Sequence, residues 1–192
     1  VFQAVNPAEE KEINQTELGF NPTDMVMDKK NIYVSNFESN SVSIISKEDF
    51  SVKEFSTGAG PLKLCTANDN IYVLNHLGKS LQILGDEKEY ELPVDAKPNN
   101  IFAWNGKIFI TAHNPKEMYV LEFKESEGKI YKVHKNDYPY GETGFDTDNS
   151  SFYVSGQYGD AIFSISKALV DQKGNLWISD FISGRVYRIQ NQ

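Results

Sequence analysis

Residues 31–36 read NIYVSN, and this short pattern decides the fold because it returns four more times along the chain. Each copy places an apolar residue, an aromatic one and another apolar one before small or polar residues. The later copies are NIYVLN at 70–75, KIFITA at 107–112, SFYVSG at 151–156 and NLWISD at 175–180. A second apolar strand opens eight residues after the aromatic residue of every copy, and a proline precedes the first three aromatics by eleven residues.

A repeat of about 40 residues that holds several strands is typical of a β-propeller, in which each repeat forms one antiparallel blade. In the first repeat the alternation of apolar and polar residues predicts strands at 23–28, 32–35, 42–46 and 51–55, and no stretch is predicted to be helical. The second strand of each repeat is nearly all apolar, as expected for a strand covered on both faces. We therefore predict an all-β protein, a β-propeller of four-stranded antiparallel blades. Its five recognisable repeats lie at about 22–60, 61–97, 98–140, 141–166 and 167–192.

The spacing of the repeats is uneven at one point. The aromatic residues of successive copies are 39, 37 and 44 residues apart, but Tyr153 and Trp177 are separated by only 24. No residues remain there for a fourth strand and a connection, so we expect a segment to be missing near 166/167, by omission or by deletion. Residues 1–21 read as the end of a further blade or as a closing strand. A ring of six or more blades is preferred, with a five-bladed ring as the alternative.

Composition narrows the classes of partner. The net charge of −8 disfavours nucleic acid and anionic membranes, which need a clustered positive surface. The lone cysteine, Cys65, can form neither a disulfide framework nor a thiolate metal site. No apolar run approaches the length of a membrane helix, so membrane insertion is not expected.

The repeats resemble known families. Residues 21–24, 31–36 and 41–45 are similar to the YVTN-type repeat of bacterial and archaeal surface-layer and extracytoplasmic propellers. Residues 174–180 and 184–189 are similar to NHL-type repeats, which include the virginiamycin B lyase group. The resemblance implies a location outside the cytoplasm, in the periplasm, at the cell surface or secreted. These families contain binding modules, lyases, lactonases and structural proteins. The histidine and glutamate pair that works with magnesium in the lyase group has no match here, so we carry over no catalytic residue and leave any metal ligand unknown.

Ligands of a propeller usually bind where the loops after the second strand and before the first strand collect. The position just after the second strand holds a planar side chain in each repeat. The other candidate residues of these loops are amides, tyrosines and an aspartate. The first set is Phe37, His76, His113, Gln157 and Phe181; the second is Asn36, Asn75, Asn100, Asn114, Tyr140, Tyr158 and Asp180. This mixture suits stacking on a sugar ring or on the aromatic groups of a peptide.

Other interpretations of these residues stay open. The aromatic residues could fill contacts between blades, and Asn36 and Asn75 could close turns. His76 and His113 occupy equivalent positions in adjacent repeats, where they could share a metal or a proton, although no acidic residue recurs beside them.

The sequence favours a non-enzymatic, extracytoplasmic scaffold that binds a protein or a glycan at this loop rim and needs no cofactor. A metal-dependent lyase or lactonase is the first alternative. A structural component of a surface layer is the second.

Overall fold

A computed structural model of the chain describes residues 2–6, 11–114, 117–137, 165–180 and 185–190, almost all of them in strands or tight turns. The first two strands form a hairpin of β1 (Phe2–Asn6) and β2 (Lys11–Thr16). The first four-stranded sheet follows, with its strands in chain order: β3 (Pro22–Met27), β4 (Asn31–Asn36), β5 (Ser41–Ser46) and β6 (Val52–Ser56). These bounds lie within one residue of the strands predicted for the first repeat.

Three further sheets repeat this plan. The second contains β7 (Pro61–Ala67), β8 (Asn70–Asn75), β9 (Ser80–Ile83) and β10 (Glu89–Glu91). The third contains β11 (Lys97–Trp104), β12 (Lys107–His113), β13 (Glu117–Lys124) and β14 (Lys129–Asp137). The fourth has three strands among the described residues: β15 (Ile165–Val170), β16 (Leu176–Asp180) and β17 (Arg185–Ile189).

Two local features differ from the sequence-based expectation. A short 3-10 helix, Glu125–Glu127, lies between β13 and β14, and Gly128 ends it at a φ of +57°. The residues 165 and 166, which the repeat boundaries place in the fourth repeat, begin β15. Most of the predicted fourth repeat, 138–164, lies outside the described residues.

Each sheet carries a β-bulge near the start of its first strand. In β3 the register shifts between Pro22 and Asp24, so that Thr23 is the extra residue, and the same shift occurs in β7, β11 and β15. A bulge bends the strand and redirects the side chain of the extra residue. The hydroxyl of Thr23, the extra residue of β3, lies 3.1 Å from Ser35 Oγ and donates to the carbonyl of Pro61 at 3.1 Å.

The chain divides into two compact units, 1–78 with 82–89 and 79–81 with 90–192, so the division falls within the second sheet. In the first unit, a core formed by the first and second sheets contains Tyr33, Val42, Leu64, Ile71 and Val73. The first strands of these sheets are in contact, and the backbone N–H of Leu64 donates to Asp24 Oδ2 at 3.0 Å.

In the second unit, the third and fourth sheets pack face to face around Phe102, Phe109, Val120, Leu176 and Ile178. The rings of Phe102 and Phe109 stack with centroids 5.6 Å apart. The indole of Trp104 donates to the carbonyl of Gly174 at 3.0 Å, which ties the first hairpins of the two sheets together.

Candidate functional site

The loop before β3 and the loop after β4 lie side by side at one end of the first sheet. The backbone N–H of Phe37 donates to the carbonyl of Asn21 at 2.9 Å, and that of Glu38 donates to the carbonyl of Phe20 at 3.3 Å. The N–H of Phe20 donates in turn to Ser39 Oγ at 2.7 Å. These bonds hold both loops in one place, so side chains from two distant stretches of sequence share a surface.

The second and third sheets repeat this arrangement. The N–H of His76 donates to the carbonyl of Gly60 at 2.8 Å, and that of Leu77 donates to the carbonyl of Ala59 at 3.1 Å. In the third sheet His113 pairs with Lys97. The loops after the second strand and before the first strand therefore meet in each of these three sheets, as the repeat pattern predicts.

In the first unit, these bonded loops carry four residues that we call together the rim surface: Phe20, Phe37, His76 and Leu77. Phe20 is 76% exposed and Leu77 is 53% exposed, while Phe37 and His76 are half-buried. The rings of Phe37 and His76 lie with centroids 6.2 Å apart and planes tilted by 47°. The structure thus brings together two of the predicted residues from neighbouring sheets.

Gly60 explains how the rim surface packs so closely. Its φ is +64°, in the left-handed region that a side chain disfavours. A Cβ atom at this position would lie 2.7 Å from Leu77 Cγ and 3.0 Å from Phe37 Cε2. Both observations require glycine, because the missing side chain leaves the space that Phe37 and Leu77 fill.

Three of the predicted amides lie beneath the surface. Asn36 and Asn75 are fully buried, and Asn100 is 3% exposed. Asn36 donates from Nδ2 to Ser41 Oγ at 3.1 Å and to Ser43 Oγ at 2.8 Å, which braces the turn after β4. A buried side chain offers no surface to a ligand, so we leave these three residues out of the rim surface.

The other predicted residues belong to the second unit or lie outside the description. His113 is exposed at the end of β12, and Asn114 donates from Nδ2 to the carbonyl of Asp95 at 3.1 Å. Asp180 ends β16, and its side chain is outside the described part of the chain, as are Tyr140, Gln157, Tyr158 and Phe181. A metal or proton shared by His76 and His113 stays a prediction.

Sequence reasoning left two members of the rim surface out of the ligand-binding set. Phe20 lies within the stretch Gly19–Pro22, whose spacing of glycine and proline recurs at Gly58–Pro61, and Leu77 directly follows His76. The glycine that recurs three residues before the proline is the sequence signal that could have identified these loops. A Cβ on Gly19 would lie 2.8 Å from the Asn36 side chain, so this glycine marks where the loop folds over the end of β4.

A second concave feature of the first unit lies along β6. This pocket has a volume of about 380 Å³ and is lined by Glu54, Phe55, Ser56, Thr57, Gly58, Gln82, Glu87 and Glu89. Gln82 accepts from the N–H of Gly58 at 3.2 Å and donates to the carbonyl of Asp86 at 2.8 Å. Within the described part of the chain, no three His, Cys, Asp or Glu side chains are grouped so that they could hold a metal ion.

The turn between the first two strands, at the opposite end of the sheet, is held by an aspartate. In the first sheet Asp28 accepts from the N–H groups of Lys30 and Asn31 and from the Tyr33 hydroxyl, each at 2.7 Å. Desolvation alone would raise the pKa of Asp28, but the bonds from Asn31, Tyr33 and Lys30 outweigh it and hold the pKa below its usual value.

The fourth sheet uses the same device with a different aromatic residue. The Trp177 indole donates to Asp171 Oδ2 at 2.9 Å, and the Asn175 side chain donates to the same oxygen at 2.9 Å. The bonds from Trp177 and Asn175 hold the pKa of Asp171 well below its usual range. In the third sheet the equivalent aromatic residue is Phe109, which has no group that could donate a hydrogen bond to an aspartate. The turn there is instead a tight Asn105-Gly106 turn, in which both residues have positive φ angles.

Comparison with known proteins identifies the fold. No family model and no curated protein matches the sequence. Among solved structures, the chain is similar to a streptogramin B lyase, with a TM-score of 0.65 and 15% identity over 94% of this chain and 69% of the lyase. It is also similar to the extracellular domain of a protein assigned to the one-component systems of B. thetaiotaomicron (TM-score 0.64, 12% identity, 99% of this chain and 30% of that chain).

A third similar structure is the Dos1 propeller, with a TM-score of 0.58 and 13% identity over 99% of this chain and 61% of that chain. The chain therefore spans from 30% to 69% of the length of these proteins. At such identities the likeness concerns the fold alone. The chain has the β-propeller fold, and its four-stranded antiparallel sheets are the blades. Of the described residues, none form a helix that is both long and apolar enough to cross a membrane.

Proposed function

We propose that this propeller is an extracytoplasmic binding scaffold, and that the rim surface of the first unit contacts a protein or glycan ligand. The observation that carries the proposal is the exposure of Phe20 and Leu77 on the same loops that hold the paired rings of Phe37 and His76. Phe20 is 76% exposed and Leu77 is 53% exposed, and exposed apolar groups framed by polar residues are typical of binding sites.

The position of the rim surface on the blade supports the same function. Its side chains come from short loops whose backbones are bonded to each other, so little conformational entropy remains to be lost when a ligand binds. The similarity to the extracellular domain of another protein supports a location outside the cytoplasm. The YVTN-type and NHL-type resemblance supports the same location.

Amide chemical shifts of the ¹⁵N-labelled protein, followed during titration with mixtures of candidate ligands, test this proposal. The protein is titrated with a mixture of randomised octapeptides and, separately, with a mixture of neutral and acidic oligosaccharides. We expect one mixture to shift the amides of Phe20, Phe37, Glu38, His76 and Leu77. The proposal fails if neither mixture moves these signals, or if shifts concentrate at the pocket along β6.

The chain is also similar to a lyase, and to a protein from Bacteroides uniformis assigned as a 6-phosphogluconolactonase (TM-score 0.57, 11% identity). A metal-dependent lyase or lactonase remains the competing function. It requires a histidine and carboxylates within about 2.0–2.6 Å of one metal ion. Melting of the protein with EDTA and with divalent ions separates the two functions.

A further inference from the structure

We infer that the ligand of the rim surface is a neutral glycan, whose sugar ring stacks on Phe20 while its hydroxyl groups bond to Asn21 and Glu38. This inference rests on the proposed function and names the class of ligand that the same surface takes. It follows from the way Phe20 is held, from the polar groups on the same two loops and from the close packing of Phe37 and Leu77 over Gly60.

Hydrogen bonds hold the backbone of Phe20 in place, while its ring is exposed to solvent. Its N–H and carbonyl are both bonded, to Ser39 Oγ and to the N–H of Glu38, and the next residue, Asn21, has a φ of +54° and accepts from Phe37. The backbone is therefore constrained on both sides, while the side chain has the largest exposed fraction among the exposed large apolar residues described. An aromatic face held in this way suits the apolar C–H face of a pyranose.

Planar polar groups lie on the same two loops as Phe20. The Asn21 amide and the Glu38 carboxylate are exposed and lie 3.5 Å apart, measured from Nδ2 to Oε1. This contact is at the outer limit of a hydrogen bond, so both groups keep donor and acceptor capacity for a ligand. Neighbouring hydroxyl groups of a sugar are donors and acceptors at once, and an amide beside a carboxylate offers the complementary pair.

The packing around Gly60 favours a flat ligand over an inserted side chain. Apolar anchors of a peptide bind best in recesses where they are fully desolvated. Here Phe37 and Leu77 fill the space above Gly60 so closely that a methyl group at that position would lie 3.0 Å and 2.7 Å from them. The space at Gly60 is therefore closed to an inserted side chain, whereas a ring that stacks on the exposed Phe20 needs no recess.

The negative charge of Glu38 favours neutral glycans over acidic ones. Of the three residues that would contact the sugar, Phe20, Asn21 and Glu38, only Glu38 is ionisable, and the chain as a whole carries a net charge of −8. Uronic acids and sulfated sugars would meet a negative group at the point where their hydroxyls should bond. The surface is therefore suited to neutral hexoses or pentoses.

Calorimetric titration with single oligosaccharides tests the inference. The neutral probes are the hexasaccharides of cellulose, xylan, mannan, chitin and starch; hexaguluronate is the charged probe and the octapeptide mixture is the peptide probe. We expect a neutral probe to bind, Phe20→Ala to weaken its binding about tenfold, and Phe20→Trp to recover what Phe20→Ala loses. Leu169→Ala is the matched control, because Leu169 is 60% exposed on β15 and takes no part in the rim surface.

The charge of Glu38 gives a second readout. Glu38→Gln keeps the planar shape and removes the charge, so we expect hexaguluronate to bind this variant more tightly than it binds the unchanged protein. Binding of the neutral probe that Phe20→Ala does not weaken, or binding of hexaguluronate alone, overturns the inference. If the peptide mixture binds at the rim surface and no glycan does, the glycan inference falls and the proposed function stands. If neither class binds, both fall.

Discussion

Replacing Gly60 by alanine tests how the rim surface is built, since two separate costs are expected. An alanine held at a φ of +64° costs about 1–2 kcal/mol for the left-handed backbone. The new methyl group would also lie 2.7 Å from Leu77 Cγ and 3.0 Å from Phe37 Cε2, which forces these side chains to move. Overpacking of this kind costs a further 1–3 kcal/mol or so. We therefore expect Gly60→Ala to lower the free energy of unfolding by about 2–5 kcal/mol.

Two matched glycines separate the two costs. Gly106 (φ +72°) and Gly85 (φ +97°) have no heavy atom within 4 Å of their Cβ positions, so alanine there meets the backbone cost without the collision. Urea unfolding of the three alanine variants, followed by circular dichroism and tryptophan fluorescence, gives the comparison. The Gly60→Ala loss should exceed the losses of Gly106→Ala and Gly85→Ala by about 1–3 kcal/mol.

A substitution of Leu77 tests whether this side chain is the one that the new methyl group of Gly60→Ala meets. Leu77 is 53% exposed, so Leu77→Ala alone should cost little, and it removes the atom that the new methyl group meets. The double variant Gly60→Ala/Leu77→Ala should therefore be more stable than the sum of the single losses predicts. Equal losses at Gly60 and Gly106, together with strict additivity between Gly60 and Leu77, would refute the packing described for the rim surface.

Three further predictions concern the turns and the metal alternative. Tyr33→Phe should lower the free energy of unfolding by about 1 kcal/mol, because it deletes a hydrogen bond to the partly exposed carboxylate of Asp28. The pKa of Asp171 is lowered in the folded state, so its contribution to stability is present above its unfolded pKa, near 3.9, and is lost as the pH falls towards the folded pKa. Asp171→Asn should therefore reduce the loss in urea midpoint between pH 5 and pH 3. Treatment with EDTA, followed by Mg²⁺, Ca²⁺ or Zn²⁺, should leave the melting temperature unchanged.

Each of these predictions has a decisive contrary result. The Asp28 interpretation is wrong if Tyr33→Phe is neutral, or if the losses from Tyr33→Phe and Asp28→Ala simply add. The Asp171 interpretation is wrong if Asp171→Asn and the unchanged protein lose the same stability over this pH range. A rise in melting temperature with one divalent ion, reversed by EDTA, would favour the metal-dependent lyase or lactonase over the binding scaffold.

Much of the blade could be predicted from local pattern. The apolar runs that contain Tyr33 and Tyr72 predict strands buried on both faces, and both residues are buried in the second strand of a sheet. The strands of the first repeat agree with prediction within one residue at each end. This succeeds because strand alternation and turn residues act over a few neighbours in the chain.

The candidate site was predicted less completely, for a physical reason. Phe37 and His76 were chosen from their equivalent positions, and they do lie beside each other in the first unit. Asn36 was chosen on the same grounds but is fully buried, since the loop at Gly19 folds over it. Whether a residue next to a turn faces solvent depends on which loop covers it, and that loop comes from another part of the sequence.

The sequence by itself determined the repeat, the strand order within each blade and the position of the rim loops, because all three follow from periodicity along the chain. The tertiary structure alone decided the packing of Phe37 and Leu77 around the left-handed Gly60 and the bond from the Leu64 N–H to Asp24. It also decided that the side chain of Phe20 is exposed to solvent while that of Asn36 is buried. These features depend on contacts between side chains and loops that meet only when the sheets pack, so no local pattern could have shown them.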